Sequence, residues 1–512
     1  MDQNNGGIIG KINTPTTTVA SGVWSLDSQF ESQSGSTWPL AFPQTTIANS
    51  CRFNDDSSDY LDKSSYATAT STKKFTWSCW FKLGEVGARG RFFDFWKGGG
   101  SGFSYGNGLF FTTGHELGIG SGDNSNGRII TTRKFRDPSA WYHVVAVYDS
   151  PNSTAGDRLQ LYINGVRETD FSANVTVTQD WDYQAFTSNH GGIGTYYDKS
   201  TSSEFFDGYM AEVVFIDGQA LDPTSFGEFD EDSSIWKPID VSGLTFGNNG
   251  FYLDFENSGS LGADVSGNGN NFTVNNLTSI DQTTDTCTNN FATLNSISKG
   301  KDQTLSEGNL KMASGTATTR TPSQSTIGVS SGKWYAEFKI LTSDNTVPGV
   351  VSTQWNHGTS QVSYSTGFYP GYTTAGYGYT KAGDVRNNAS AVGGTWSTFT
   401  TGDIIGVALD LDNDKLYFSK NGTWQNSGDP TSGATGTGAV SITTPSSTTD
   451  GFYYFSIGDG SGGTSSGAEC NFGNPMNTIS SGNSDGNGYG NFEYSVPANH
   501  YSLNSKNLAE YG

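Results

Sequence analysis

Hydrophobic residues recur at every second position through most of the chain. In FTWSCWFK, Phe75, Trp77, Cys79 and Phe81 fall on one face of an extended strand, because side chains alternate between the two faces of a strand. The segments RLQLYINGVRE, GYMAEVVFIDGQ, WYAEFKIL and IIGVALDLD repeat this period. Many short strands separated by Gly, Asn and Asp turns predict an all-β fold made of antiparallel sandwiches.

One segment, WYHVVAVYD, is apolar on both faces. Val144 and Ala146 would lie on one face, and Val145 and Val147 on the other. A strand with this pattern is covered on two sides. We therefore expect additional chain to pack on the outer face of the sheet that contains it.

Tight turns and core residues follow from the same pattern. The pairs Asn164-Gly165 and Asn421-Gly422 predict hairpin turns, since both residue types adopt positive φ at low cost. In the other strands, the residues expected to face a core are Leu159, Leu161, Ile163, Trp334, Ala336, Phe338, Ile340, Ile405, Val407, Leu409 and Leu411.

The pattern divides the chain into four parts. Residues 1–44 are rich in Gly and Thr and predict an extended N-terminal arm, with one short helix from Ser25 through Gln33. Residues 45–235 and 301–512 predict the two sandwiches. Residues 236–300 are rich in Gly, Asn and Thr and predict a connector, in which FYLDFE and NNFTVNN would add strands.

Composition narrows the functional classes. The chain has 512 residues and a net charge of −22, which repels phosphate backbones and disfavours nucleic acid as a partner. It contains no apolar run near the roughly 20 residues of a membrane-spanning helix. Its start, MDQNNGGIIG, lacks the features of a secretory signal peptide. We expect no membrane insertion, and release from the cytoplasm of the producing cell by a route such as lysis.

The four cysteines are Cys51, Cys79, Cys287 and Cys470. They are too far apart for a zinc motif and too few for a disulfide scaffold. We expect free buried thiols, with Cys51–Cys79 as the pairing to check.

The first sandwich resembles a known family. The order CRFNDDSSDYLD, FTWSCWFK, RFFDFW, WYHVVAVYD, LQLYINGVRE, GGIGTYYD and FFDGYMAEVVFIDGQAL resembles the laminin-G-like, concanavalin A-like jelly roll. Members of this family often hold Ca²⁺ at the loop rim, where oxygen ligands converge. The resemblance implies Asp198 and Glu204 as ligands, with Asn107 approaching. Ordinary acidic loop residues are the alternative interpretation of the same positions.

The second sandwich resembles another family. The segments GKWYAEFKI, GVALDLDNDKLYFSKNGTW and FYYFSIGDG resemble a SPRY domain, which is also a concanavalin-like sandwich and binds partners through loops at one end. Aromatic residues crowd the segment between two of its strands, and rigid rings of this kind suit protein or sugar recognition. The candidate contacts are Trp355, Tyr364, Tyr369, Tyr372, Tyr377 and Tyr379. Alternatively, several of these rings pack into the sandwich or against a neighbouring subunit.

Three further stretches resemble structural proteins of tailed phages, marine ones especially. These are GKINTPTTTVASGVWSLDSQFESQSGSTWP, NNFTVNNLTSIDQTTDTCTNNFATLN and HYSLNSKNLAEYG. The resemblance implies a virion component, such as a tail fibre, spike or head fibre. Trp24, Leu26 and Phe30 of the arm would anchor it to capsid or tail proteins. A symmetric homo-oligomer would be usual for such a part.

Catalysis is not expected. The acidic run from Glu228 to Asp232 lacks the alternating Glu-x-Asp-x-Glu arrangement of concanavalin-type glycan hydrolases. The five histidines are scattered.

The sequence therefore predicts a phage adhesion protein that binds a host-surface glycan or protein. A decoration or cement protein without a host ligand is the first alternative, and a glycan depolymerase is the more distant one.

Overall fold

The computed structural model describes residues 45–87, 89–95, 107–120, 126–183, 186, 191–197, 202–231, 233–300, 303–315, 322–352, 369–460 and 465–512. The predicted arm, with its short helix and with Trp24, Leu26 and Phe30, lies outside the described residues. The rest is nearly all β, as the period-two pattern predicts. One described α-helix, α1 (Ser505–Tyr511), begins at Asn504, whose side chain accepts a hydrogen bond from the Asn507 N–H.

Strands β1 to β20 belong to the first half of the chain. They are β1 (Ser50–Phe53), β2 (Tyr60–Lys63), β3 (Lys74–Leu83), β4 (Arg91–Phe95), β5 (Asn107–Phe111), β6 (Glu116–Gly120), β7 (Arg128–Lys134), β8 (Trp141–Asp149), β9 (Leu159–Ile163), β10 (Val166–Arg167), β11 (Phe171–Val175), β12 (Gly191–Ile193), β13 (Tyr196–Tyr197), β14 (Ser202–Ser203), β15 (Gly208–Asp217), β16 (Gly227–Phe229), β17 (Trp236–Pro238), β18 (Phe251–Leu253), β19 (Thr273–Asn275) and β20 (Gln282–Thr283).

Strands β21 to β35 belong to the second half. They are β21 (Gln303–Ser306), β22 (Lys311–Ser314), β23 (Ser323–Gln324), β24 (Lys333–Thr342), β25 (Thr346–Val351), β26 (Gly376–Thr380), β27 (Asp384–Asn387), β28 (Ser390–Val392), β29 (Ile404–Asp410), β30 (Lys415–Lys420), β31 (Thr423–Trp424), β32 (Val440–Ser441), β33 (Tyr454–Asp459), β34 (Ser466–Asn471) and β35 (Tyr501–Ser502). Short 3-10 turns occupy Ala155–Asp157, Pro223–Ser225, Ser279–Asp281, Gln425–Ser427, Gly433–Thr435 and Pro445–Ser447.

Each half forms a two-sheet sandwich. In the first, the strand order is β10-β9-β8-β3-β15-β1-β20 in one sheet, with β18 also paired to β15, and β11-β7-β6-β5-β4-β12-β2-β19 in the other. In the second, the orders are β21-β22-β34-β24-β29-β30-β31 and β23-β33-β25-β26-β27-β28, with β32 paired to β30 and β35 to β24. Separate hydrophobic cores fill the two sandwiches.

The alternating pattern identified the inward residues correctly. Phe75, Trp77, Cys79 and Phe81 all lie in the first core, and every residue expected to face a core from β9, β24 and β29 does so. The predicted hairpin turns are also present: Asn164 and Gly165 have φ of 49° and 76°. All four cysteines lie in the described part of the chain and have free thiols, and Cys51, Cys79 and Cys470 are buried.

Strand β8 is covered on both faces, as its sequence predicts. Val144 and Ala146 face the first core. Val145 and Val147 face a second apolar cluster formed with the chain that follows β15, including Phe226 and Phe246.

A buried histidine lies on the same outer face of this sheet. His143 stacks on Trp80, with 4.7 Å between ring centroids. The Trp236 indole N–H donates to His143 Nδ1 at 3.0 Å, so Nε2 carries the proton and donates to the Ser78 hydroxyl at 2.8 Å. Burial lowers the pKa of His143 to about 3, and the ring is therefore neutral at pH 7.

Residues 236–300 do more than connect. Their strands β18, β19 and β20 pair with β15, β2 and β1 of the first sandwich. The strands predicted from FYLDFE and NNFTVNN are β18 and β19. This segment therefore completes both sheets of the first sandwich before the chain enters the second.

A buried charge lies where this segment meets the first sandwich. The Lys82 side chain is fully buried, and its ammonium donates to Asp285 Oδ2 at 2.8 Å, Asn290 Oδ1 at 2.8 Å and the Phe291 carbonyl oxygen at 2.7 Å. Asp285 also accepts from the Trp141 indole N–H at 3.0 Å. All three donor positions of the ammonium are thus satisfied, as a buried lysine requires.

Arg52 joins the same segment to the second sandwich. Its buried guanidinium donates through Nη2 to Asp281 Oδ1 at 3.0 Å and to the Met476 carbonyl oxygen at 3.4 Å. The Tyr209 hydroxyl donates to the Gly308 carbonyl oxygen at 2.8 Å. These contacts, with those of Lys82, form what we call the junction, and they fix the two sandwiches to each other.

We expect Asp285→Asn to lower the free energy of unfolding by about 3–5 kcal/mol, because it leaves the Lys82 charge buried without a carboxylate. Denaturant unfolding followed by fluorescence measures the loss. The control is Asp344→Asn, which removes an exposed partner of Lys381 and should cost less than about 1 kcal/mol. Equal losses in the two variants would contradict the role assigned to the buried pair.

Candidate functional site

A short segment crosses the outer face of the second sandwich. Tyr377 and Tyr379 of β26 point into the core, so Gly376 and Gly378 face outward. Pro370 lies directly on this face, since a Cβ on Gly378 would stand 1.9 Å from its carbonyl oxygen. We call residues 369–376 the tyrosine strap.

Hydrogen bonds hold the strap against β27. The Asn387 side-chain amide donates to three carbonyl oxygens of the strap, at 3.5, 3.3 and 2.8 Å, those of Thr373, Thr374 and Gly376. The Asn388 N–H donates to the Thr373 carbonyl oxygen at 3.1 Å. The backbone of the strap is therefore fixed before any ligand arrives.

Two tyrosines of the strap form a pair beside a charged pair. The rings of Tyr369 and Tyr372 meet edge to face, with centroids 5.6 Å apart. Arg386 donates through Nη1 to the Tyr369 hydroxyl at 3.3 Å and through Nε to Asp384 Oδ2 at 3.0 Å. Tyr369 is buried, whereas Tyr372, Arg386 and Asp384 are half-buried. The site combines an aromatic face, a guanidinium and a carboxylate on a rigid backbone.

This combination suits polar ligands that also have an apolar face. A tyrosine ring offers contact area at low entropic cost. A guanidinium donates in a fixed planar geometry, and the neighbouring carboxylate accepts from hydroxyl or amide groups. A sugar or an extended peptide would satisfy all three groups.

The structure corrects part of the predicted aromatic site. Tyr379 is fully buried in the core, where its hydroxyl donates to the Ser397 carbonyl oxygen. Tyr377 is also a core residue, and its hydroxyl accepts from the Thr443 N–H at 3.2 Å. Both rings therefore stabilise the sandwich and are not available as ligand contacts. Trp355 and Tyr364 lie outside the described residues.

Glu204, expected at a calcium site, is bound by arginines. Its Oε2 accepts from Arg91 Nε at 2.9 Å and from Arg91 Nη2 at 2.6 Å, and its Oε1 accepts from Arg89 Nη1 at 3.1 Å. The Arg91 guanidinium lies 4.9 Å from the ring centroids of both Phe110 and Tyr196. Two guanidinium groups would repel a cation here, so this geometry contradicts the role of Glu204 as a metal ligand.

The other expected calcium ligands cannot be placed. Asp198 lies outside the described residues, and Asn107 begins β5 with its side chain outside the description. Across the parts of the chain that the structure describes, no group of three or more His, Cys, Asp or Glu side chains is arranged to hold a metal ion. The described residues also include no apolar helix of membrane-spanning length.

The second sandwich also has a cavity of about 120 Å³, which the sequence analysis did not predict. This cavity is on the outer face of the sheet that contains β24. It lies between this sheet and residues 476–493, which cover it. Glu337 accepts there from the N–H groups of Glu493 and Tyr494, each at 2.9 Å. Burial raises the pKa of Glu337 to about 7. Its outward position in β24 was visible in the sequence, but the covering segment that buries it was not.

We expect Glu204→Gln to lower the free energy of unfolding by about 1–3 kcal/mol, because Arg91 would stay buried beside Asp94 with less compensating charge. This range allows for the partial exposure of Glu204.

EDTA should leave the melting temperature of the unmodified protein unchanged. If EDTA lowers that temperature, and Glu204→Gln abolishes the effect, Glu204 would be a metal ligand after all.

Two segments of the chain match known families. Residues 55–225 match the laminin G family of the concanavalin A-like lectin/glucanases superfamily. Residues 319–444 match the SPRY domain. Among curated proteins, no sequence matches the chain.

Solved structures share the fold at low identity. The SPRY domain of human HERC1 is 18% identical, with a TM-score of 0.25, over 34% of this chain and 94% of that one. A protein of Bacteroides ovatus ATCC 8483, described as a candidate carbohydrate-binding protein, is 16% identical, with a TM-score of 0.31, over 47% of this chain and 60% of that one. The heptameric SAP-like pentraxin of Limulus polyphemus is 16% identical, with a TM-score of 0.25, over 34% of this chain and 78% of that one.

At such identities these likenesses concern the fold alone. The matched segments lie within the two sandwiches described above and follow each other in the predicted order. The chain therefore contains a laminin-G-like, concanavalin A-like jelly roll followed by a SPRY domain.

Proposed function

We propose that this chain is a non-catalytic adhesion protein of a tailed-phage particle and binds a host-surface glycan or protein through the tyrosine strap. The observation that carries the proposal is the fixed strap itself. Its half-buried Tyr372 packs on Tyr369, whose hydroxyl accepts from Arg386 of the Arg386–Asp384 pair. Asn387 holds the backbone of the strap. A surface fixed in this way loses little entropy when it binds.

Both ligand classes fit the chemistry of the strap. The ring of Tyr372 would pack on the apolar face of a sugar or on an aliphatic side chain. Arg386 and Asp384 would exchange hydrogen bonds with hydroxyl or amide groups at its edge. The same Tyr and Arg types dominate the energetics of many protein interfaces.

The particle assignment rests on the sequence. Three stretches, in residues 10–39, 270–295 and 500–512, resemble structural proteins of tailed phages. A net charge of −22 favours solubility on the outside of a particle. In the proposal, residues 1–44 attach the protein to capsid or tail, and the fused sandwiches face outward. We further propose assembly as a symmetric homo-oligomer.

We expect Tyr372→Ala combined with Arg386→Ala to weaken binding to host cells, or to purified host-envelope polysaccharide, by about 10- to 30-fold. The change removes the aromatic face and the guanidinium while leaving the core untouched, so the melting temperature should not fall. Surface plasmon resonance and flow cytometry measure the binding.

The control for this experiment is Trp181→Ala, which removes an exposed aromatic ring (37% exposed) from the first sandwich. It should bind as the unmodified protein does. Full binding by the double variant would refute the strap as the ligand site. Release of reducing ends from the polysaccharide would instead establish a hydrolase.

We expect removal of residues 1–40 to leave both sandwiches folded and unable to join particles, because every strand and core residue that the structure describes follows this segment. Circular dichroism reports the fold, and immunoblotting of purified particles reports incorporation. Normal incorporation of the shortened protein would contradict an anchoring role for Trp24, Leu26 and Phe30.

A further inference from the structure

A buried lysine and an asparagine carboxamide meet in the junction. Lys82 Nζ lies 2.8 Å from Asn290 Oδ1, although the two residues are 208 positions apart in the chain. Because a carbonyl bond is about 1.2 Å long, Nζ is at most about 4 Å from Cγ, the amide carbon of Asn290. This is close to the roughly 3–3.5 Å that separates reacting atoms just before a bond forms. The junction therefore holds an amine next to an amide carbon.

A buried carboxylate contacts the same amine. Asp285 Oδ2 accepts from Lys82 Nζ at 2.8 Å, and both side chains are fully buried. The Trp141 indole N–H and the Phe291 N–H donate to Asp285 Oδ1, at 3.0 and 3.1 Å, and so fix the carboxylate. Burial disfavours the charged forms of both groups, and a proton that passes from the ammonium to Oδ2 makes both neutral. Asp285 is thus placed to act as the base that frees the lone pair of the amine.

Asn290 is held in place by its own hydrogen bonds. Its N–H donates to Ser505 Oγ at 3.0 Å, and its carbonyl oxygen accepts from the Ser505 N–H at 2.9 Å. Its side-chain Nδ2 donates to the Ser139 carbonyl oxygen at 2.7 Å. These bonds keep Oδ1 directed at Lys82. Because Asn290 is half-buried, a group released from Nδ2 has a route to solvent.

We propose that Lys82 and Asn290 form an intramolecular isopeptide bond in the folded protein, with Asp285 as the proton carrier. The ion pair described above is the state before the reaction. The lone pair of Nζ forms a bond to Cγ, and the bond from Cγ to Nδ2 breaks. Of the three ammonium protons of Lys82, one stays on the new amide and two pass through Asp285 to Nδ2, which leaves as an ammonium ion. The reaction needs no oxidant, cofactor or further reactant.

The bond would close residues 82–290 into a covalent ring. It would attach the segment that leads into the second sandwich permanently to β3. Like a disulfide, it would restrict the unfolded chain, but reducing agents would not break it. This inference goes beyond the proposed function and does not depend on it.

Peptide mapping by tandem mass spectrometry tests the bond in the full-length protein. After digestion with trypsin and a second protease, we expect a branched peptide that joins Lys82 to Asn290. It should be lighter than its two linear parts by the mass of one ammonia. The mass of the intact protein would not decide the matter, because an asparagine before a glycine, such as Asn421, also loses ammonia when it cyclises.

The matched variants are Asn290→Ala and Asn275→Ala. Asn290→Ala removes the amide carbon that is attacked and keeps the Lys82–Asp285 pair, whereas Asp285→Asn would change the pair and the reaction together. The branched peptide should be absent from Asn290→Ala, and this variant should migrate more slowly than the unmodified protein in reducing, denaturing electrophoresis, because its chain has no ring. Asn275 is another half-buried asparagine of residues 236–300, with its side chain on Asp62, and Asn275→Ala should keep the cross-link.

Two results would overturn the proposal. One is the recovery of Lys82 and Asn290 only in separate linear peptides from the unmodified, folded protein. The other is equal migration of Asn290→Ala and the unmodified protein. The first measurement is made on the unmodified protein and decides the question even if a variant fails to fold, which circular dichroism would report.

Discussion

A buried ammonium group sets the architecture of this protein. Lys82 has no access to water, and its charge is tolerable only with three acceptors in place. Those acceptors all come from residues 285–291, beyond the last strands of the first sandwich. That segment must therefore dock on the sheet containing β3, and the docked segment leads directly into the second sandwich. The helix α1 packs on the same segment, where the Ser505 N–H donates to the Asn290 carbonyl oxygen.

Much of this fold could be predicted from alternation alone. The inward faces of β3, β9, β24 and β29 were all identified, because an apolar residue at every second position has one stable arrangement in a sandwich. The site was less predictable. Tyr372 and Tyr379 belong to one tyrosine-rich stretch. Tyr372 lies in the strap and Tyr379 in the core only because a strand begins between them, at Gly376, and the sequence does not mark that boundary. Glu204 meets Arg91, a partner 113 positions away, and no local pattern indicates such a pair.

The two family matches cover most, but not all, of the strands that build the two sandwiches, and each stops before the segment that packs on one outer face. Residues after 225 cover the outer face of β8 and supply β18 to β20. Residues after 444 supply β33 to β35, and β33 and β34 contribute Phe455, Ile457 and Ala468 to the second core. They also supply Phe492, which packs on Tyr335 on the outer face of β24. These additions occupy one outer face of each sandwich. They leave the tyrosine strap as a surface whose chemistry suits a partner.

The position of Asp285 also bears on how the chain folds during synthesis. It is 203 residues from Lys82, and a ribosome adding about 5–20 residues per second needs roughly 10–40 s to cover that distance. During this interval Lys82 lacks its acceptors and stays hydrated, and the sheets of the first sandwich are still without β18, β19 and β20. The nascent first half thus waits in a partly hydrated state, and its completion is timed by translation of the segment that links it to the second half.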